Sequence, residues 1–232
     1  MLGAIVLAGT VFAGLAPTAG AATRNCGVKN ATQGTWFASW SGRALTTALE
    51  RAVDGDRLNV FGRCRGNFGT SKSLSLFGNT NKYDPTILDG NGSGTVLFIG
   101  EPATTSLTRF IITGGNAVGF GGGGIQTGGN LTLNASKVVG NQTDNDGGGI
   151  FNYGNLTLNH TAVTRNKAGV GDGVARVGGG IFSEGEAFLN FSSVTRNVAD
   201  CGGGILSVNT LELNSTVVTG NVPDNFGEGP CP

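Results

Sequence analysis

Four times along the chain a glycine triplet runs into an isoleucine: Gly122-Gly123-Gly124-Ile125, Gly147-Gly148-Gly149-Ile150, Gly178-Gly179-Gly180-Ile181 and Gly202-Gly203-Gly204-Ile205. The isoleucines lie 25, 31 and 24 residues apart. Eight positions after each comes a leucine (Leu133, Leu158, Leu189, Leu213), followed at once by an asparagine (Asn134, Asn159, Asn190, Asn214). A valine comes four residues later (Val138, Val163, Val194, Val218), and three beyond it a second asparagine (Asn141, Asn166, Asn197, Asn221). Self-similarity at this period identifies stacked supersecondary units. Glycine triplets beside β-branched runs would cost too much in helices, so the units are built from strands.

Each column has a physical reading. Leu131 and Leu133 flank Thr132, and Leu156 and Leu158 flank Thr157; this period-two alternation marks a strand with one buried face. Val138-Val139 and Val163-Thr164 supply a second short strand, and the isoleucine segment a third. Three strands per unit describe a triangular coil whose strands pair in parallel with their equivalents one coil away. The two asparagine columns then fall at corners, where stacked amides donate to one neighbouring coil and accept from the other. Asn134, Asn159, Asn190 and Asn214 are read as one ladder, and Asn141, Asn166, Asn197 and Asn221 as another. Asn134-Ala135-Ser136 and Asn159-His160-Thr161 also read as glycosylation acceptors, but the ladder accounts for them.

Ahead of the clear repeats, residues 107–116, 96–99, 86–90 and 73–76 look like strands of earlier coils. Residues 41–53 place Leu45, Ala48, Leu49 and Ala52 on one helical face, with Ser41 as N-cap and Gly55 just past the end. Such a helix is expected to cover the open N-terminal end of the stack. Trp36 and Trp40 are expected to pack there rather than bind a sugar. Residues 2–15 form one apolar run, too short to span a membrane, followed by an Ala-rich cleavage-like site; this reads as a signal peptide ending near Ala21. The four cysteines of an exported chain then suggest two disulfides. Because distance along a solenoid follows distance along the sequence, the expected pairs are Cys26–Cys64 and Cys201–Cys231.

Residues 44–60, with Gly55-Asp56-Arg57-Leu58-Asn59-Val60, resemble the opening of pectate-lyase-like right-handed β-helix proteins. The repeats resemble those of polymorphic outer-membrane proteins, whose motifs GGA[ILV] and FxxN appear here as Gly-Gly-Gly-Ile and Val-x-x-Asn. The resemblance spans about residues 45–221 and implies an all-β fold: a single-stranded right-handed parallel β-helix solenoid with a short N-terminal capping helix. The implied organisation is a signal peptide over 1–21, an N-terminal segment and capping helix over 22–56, and the β-helix over 57–232, with clear repeats from about 107 to 221. The adhesin family carries a C-terminal membrane barrel. Only 11 residues follow Asn221, so anchoring through such a barrel is not expected.

Chemistry is harder to place. Fifteen basic residues balance 15 acidic ones, which leaves no electrostatic footprint for nucleic acid. Length varies at one corner, between the second asparagine and the next triplet, and insertion-tolerant loops on a rigid scaffold often carry function. The longest such loop, residues 167–177, contains Asp172 and Arg176; neighbouring turns hold Asp144, Asp146 and Asp200. These acids could line one edge and bind calcium, but solvated turn aspartates are the simpler reading, and no metal or cofactor is assigned. Arg165 and Arg196 share a column and could meet an anionic polysaccharide. His160 has no second histidine or cysteine at ligand spacing. Thr113, Val139, Thr164, Thr195 and Thr219 form one β-branched row. Phe151, Phe182 and Leu206 could form an exposed apolar stripe or pack beneath the variable loop. The expected function is a secreted or cell-surface, non-catalytic β-helix presenting loops for adhesion or carbohydrate contact. A polysaccharide lyase or hydrolase with an atypical site ranks second, and ice binding third. The candidate ligand-facing residues are Asp144, Asp146, Arg165, Asp172, Arg176 and Arg196; oligomeric state is left open.

Overall fold

A computed structural model describes residues 26–79, 84–119, 121–169 and 175–227. The predicted signal peptide, Asp172 and Cys231 lie outside the described residues. The chain forms a parallel β-solenoid of about six turns with one short helix. One coil shows the path. The strand Ile150–Asn152 follows a glycine triplet, and Asn155–Asn159 comes next. The chain then turns at His160 into Ala162–Thr164, and turns again at Arg165. After Asn166 comes a two-residue strand, Lys167–Ala168, which the sequence reading did not anticipate. Equivalent strands stack into a nine-stranded, a seven-stranded, a six-stranded and a short three-stranded sheet. The pairing is in register, so Leu133, Leu158, Leu189 and Leu213 are direct neighbours, as are Ile125, Ile150, Ile181 and Ile205.

The second asparagine column is the polar spine of the stack. Asn141 Nδ2 donates to Asn166 Oδ1 (3.1 Å) and to the Ile112 carbonyl (3.1 Å). Asn166 Nδ2 repeats this with Asn197 Oδ1 (3.0 Å) and the Val138 carbonyl (3.1 Å), and Asn197 with Asn221 Oδ1 (3.0 Å) and the Val163 carbonyl (3.0 Å). The backbone N–H of each asparagine also donates to the next Oδ1, at 3.0, 2.9 and 2.9 Å. Asn166, Asn197 and Asn221 therefore use both amide N–H groups and both oxygen lone pairs, which is what permits their burial. The triplets make room for this. A Cβ on Gly180 would lie 2.6 Å from the Gly204 carbonyl oxygen and 2.8 Å from Asn197 Nδ2. A Cβ on Gly149 would meet Gly180 and Asn166 in the same way. The first glycine of each triplet has positive φ, 64° at Gly178 for example, where a side chain would be strained.

The first asparagine column forms the other ladder, on the outside. Asn159 donates to Asn134, Asn190 to Asn159 and Asn214 to Asn190, each at 2.9 Å. Two residues on, a buried hydroxyl column completes this corner. Thr161 Oγ1 accepts the Ser136 N–H (3.3 Å), Ser192 Oγ accepts the Thr161 N–H (3.1 Å), and both hydroxyls donate to strand carbonyls. The Ser/Thr of the Asn-x-Ser/Thr triplets is thus committed to the fold.

At the N-terminal end, Cys26–Asn30 and Thr35–Ser39 form an antiparallel hairpin that extends the nine-stranded sheet. The helix Arg43–Arg51 packs against both strands, and Leu45, Ala48, Leu49 and Ala52 are buried as its periodicity predicts. Its N-cap position is Gly42 rather than Ser41. Ser39, displaced in sequence but adjacent in space, supplies the acceptor for the Ala44 N–H (3.0 Å). The disulfide Cys26–Cys64 forms as expected; Cys201 is also disulfide-bonded. Asp56 ties the end together, accepting from Asn30, Gln33 and the Val53 N–H. Burial pushes its pKa up, but the hydrogen bonds from Val53, Asn30, Gln33 and Thr32 outweigh this and hold it below the ordinary 3.8.

Asn166→Ala orphans buried groups on both neighbouring coils and should destabilise the protein by about 2–4 kcal/mol, since each such group costs about 1–3 kcal/mol. Asn159→Ala, on the solvated ladder, should cost less than about 1 kcal/mol; urea unfolding measures both. Because folding lowers the Asp56 pKa, its stabilisation is complete above the unfolded value and is lost as pH falls through the folded one. Asp56→Asn should lower the thermal midpoint at pH 7 and shrink its further drop below about pH 4.

Candidate functional site

The outer face of the nine-stranded sheet changes character along its length. In the clear repeats it presents Thr132, Thr157 and the outer asparagines. Towards the N-terminus the same face carries aromatic rings and cations. Register places Lys29 between Trp36 and Asn59, then Phe77 beside Asn59 and Thr108 beside Phe77. Trp36 stacks on Phe61 (5.9 Å between centroids, 21° between planes), and Lys29 Nζ lies 5.5 Å from the Trp36 ring. The Arg57 guanidinium sits 3.9 Å over Phe77, within cation–π range. These side chains occupy outward positions of strands whose inward partners, Leu58, Val60 and Leu76, are buried, so the core fixes their direction.

Two open depressions adjoin here. One of about 230 Å³ is lined by Arg57, Asn59, Phe61, Phe77, Gly78, Asn79 and Arg109. The other, about 380 Å³, is lined by Asn79, Pro85, Arg109, Phe110, Ile111, Ala135, Ser136 and Lys137. Sharing Asn79 and Arg109, they make one groove around the corner between the two largest sheets. Among the described residues its lining contains no carboxylate and no histidine. Asp84, beside it, is held by the Asn79 amide (3.4 Å). Arg57, Arg109 and Lys137 form no ion pair with a described residue, whereas Arg63 pairs with Asp89 at 2.6 Å on the second sheet.

The residues singled out from the sequence are dispersed. Asp146 accepts the Val177 N–H (2.8 Å) and Asp200 the Arg176 N–H (3.0 Å). Arg176 also reaches Asn145 (3.4 Å). These side chains therefore gather around residues 176–177. Asp144 instead accepts the Gly119 N–H of the preceding coil (2.8 Å). Arg165 and Arg196 are exposed on adjacent coils at another corner, in left-handed backbone conformation (φ 56° and 57°). Gly140 and Gly220 share that conformation (φ 65° each), which explains the glycines in that column. No three His, Cys, Asp or Glu side chains among the described residues are placed to hold a metal ion.

Three expectations need correction or refinement. Phe151 and Phe182 stack on each other (5.0 Å) and are buried outside the main core cluster, so they do not form an exposed stripe. Trp40 is 81% exposed and does not pack against the cap; Trp36, at 43%, stacks on Phe61 beside Lys29. The β-branched row Thr113–Val139–Thr164–Thr195–Thr219 stacks as read. The outward row beside it on the same strands is Ile111, Lys137, Ala162, Ser193 and Val217, so no second threonine row accompanies it. No family model, curated protein or solved structure matches this chain. Asp146→Ala should release residues 175–177 and speed proteolysis there, with the thermal midpoint lowered by a few degrees.

Proposed function

We propose that the protein is a secreted or cell-surface solenoid that binds carbohydrate without cleaving it, through the Arg57–Phe77–Arg109 groove. The observation that carries this reading is the set of half-buried aromatic rings, amides and cations that line one groove on a rigid sheet. Aromatic rings stack on the apolar faces of sugars, while Asn59, Asn79 and the arginines offer hydrogen bonds to hydroxyls. Glycoside hydrolysis uses a pair of carboxyl groups at the scissile bond, and among the described residues the groove lining supplies none. Disulfides fit an oxidising compartment, and no helix among the described residues is long and apolar enough to cross a membrane.

A glycan array run beside a reducing-end release assay tests this reading. Binding without release is expected, and Phe77→Ala should weaken it at least about tenfold, equivalent to about 1.4 kcal/mol, with an unchanged unfolding midpoint. Release of reducing ends, or full binding by Phe77→Ala, would overturn it.

A further inference from the structure

Resting on that reading, we infer that the ligand is an anionic polysaccharide lying along the solenoid axis. Its charged groups sit over Arg57, Arg109 and Lys137, and its chain continues over the outer asparagine ladder to the His160–Phe191 ring pair. The register makes this track continuous. Thr108 pairs with Asn134, Asn134 with Asn159, and Asn159 with Asn190. The residues that follow these, Arg109, Ala135, His160 and Phe191, therefore form one corner column, all with positive φ. Arg109 and Ala135 already line the groove. Each further step along the column advances about 4.8 Å, the spacing of neighbouring strands.

The two asparagine ladders differ in what they leave over. In the buried ladder Asn166, Asn197 and Asn221 spend every amide N–H and oxygen lone pair within the fold. In the outer ladder each of Asn159, Asn190 and Asn214 donates once, to the preceding coil. Each amide keeps one N–H, and each half-exposed oxygen keeps one lone pair, for a ligand hydroxyl or carboxylate. At the end of the track the His160 and Phe191 rings are stacked (5.3 Å, 15°), with Phe191 61% exposed. Folding does not require rings there, since Ala135 and Ser215 occupy the equivalent positions of the flanking coils. An exposed pair of parallel rings at the end of a row of half-used amides is a stacking platform for a sugar.

Charge decides the ligand class. The three groove cations have no carboxylate partner among the described residues, so an anionic ligand gains their charge without first breaking an ion pair. The neighbouring outward column reads Ser106, Thr132, Thr157, Phe188 and Glu212. Its one acid stands on the coil beyond Phe191, and an anionic chain is therefore favoured over the N-terminal part of the track.

The test is titration calorimetry on the full chain with alginate oligomers of graded length, chondroitin sulfate oligomers, neutral dextran and poly(dT), each at low and high salt. Affinity for alginate or chondroitin sulfate, whichever supplies the matching acid group, should rise with length and exceed that for dextran at least tenfold. Arg109→Gln with Lys137→Gln should weaken all lengths. His160→Ala with Phe191→Ser, which copies the flanking coils and so preserves the fold, should remove the gain of the longer oligomers and leave the shortest unchanged. If the ring variant keeps the full length dependence, the axial track is wrong while groove binding stands. Equal binding of dextran overturns the anionic class alone. Poly(dT) binding tighter than either acidic glycan replaces the polysaccharide by a nucleic acid, and no binding by any glycan removes the proposed function itself.

Discussion

Every coil of this protein must turn sharply while keeping its polar groups satisfied in a core only a few side chains wide. The buried asparagine ladder meets that constraint. One side chain per coil accepts from the backbone and amide of the preceding coil and donates to the next coil and to a strand carbonyl. Nothing larger than hydrogen fits on the third glycine of the triplet, because Asn197 and the Gly204 carbonyl already occupy the space beside Gly180. The triplet and the ladder are two halves of one packing solution, which is why they recur together at a fixed offset.

From that corner the rest of the coil follows. With register locked, Leu, Val and Ile columns fall on themselves and fill the interior, each buried side chain contributing about 1.5–3 kcal/mol. The outward columns are then free to vary without moving the backbone. Rings and cations replace threonine and asparagine near the N-terminal end. A scaffold that holds outward positions at a fixed axial step can present a linear ligand with a linear array of contacts, and the groove and outer ladder use it in that way.

Most of the architecture was legible in the sequence: the three longer strands of each coil, the stacking register and both ladders, which repetition displays, and the disulfide between Cys26 and Cys64. What escaped detection was whatever does not repeat or is too short to show a period. The two-residue strand Lys167–Ala168 has no alternation to read. Ser39 replaces Ser41 at the helix start because the chain folds back through an antiparallel hairpin that no local signal announced. The groove was missed for a related reason. Phe61, Phe77, Arg57 and Arg109 come from the irregular first coils, where outward and inward columns cannot be told apart by comparing copies. The insertion-tolerant loop stands out in the sequence, yet Asp146 and Asp200 of the turns beside it anchor its backbone N–H groups.

The buried ladder also has a polarity. Each asparagine sends its backbone N–H and one amide N–H towards the C-terminal neighbour, so the final asparagine faces a missing acceptor, as the last monomer of a directional polymer does. Asn225 supplies it: its Oδ1 accepts both the Asn221 N–H (3.3 Å) and Nδ2 (3.0 Å). A short bend of the chain thereby imitates the coil that would come next. Propagation and termination are written in the same chemical group, and the spacing to the following asparagine distinguishes them: 25, 31 or 24 residues to continue, four to stop.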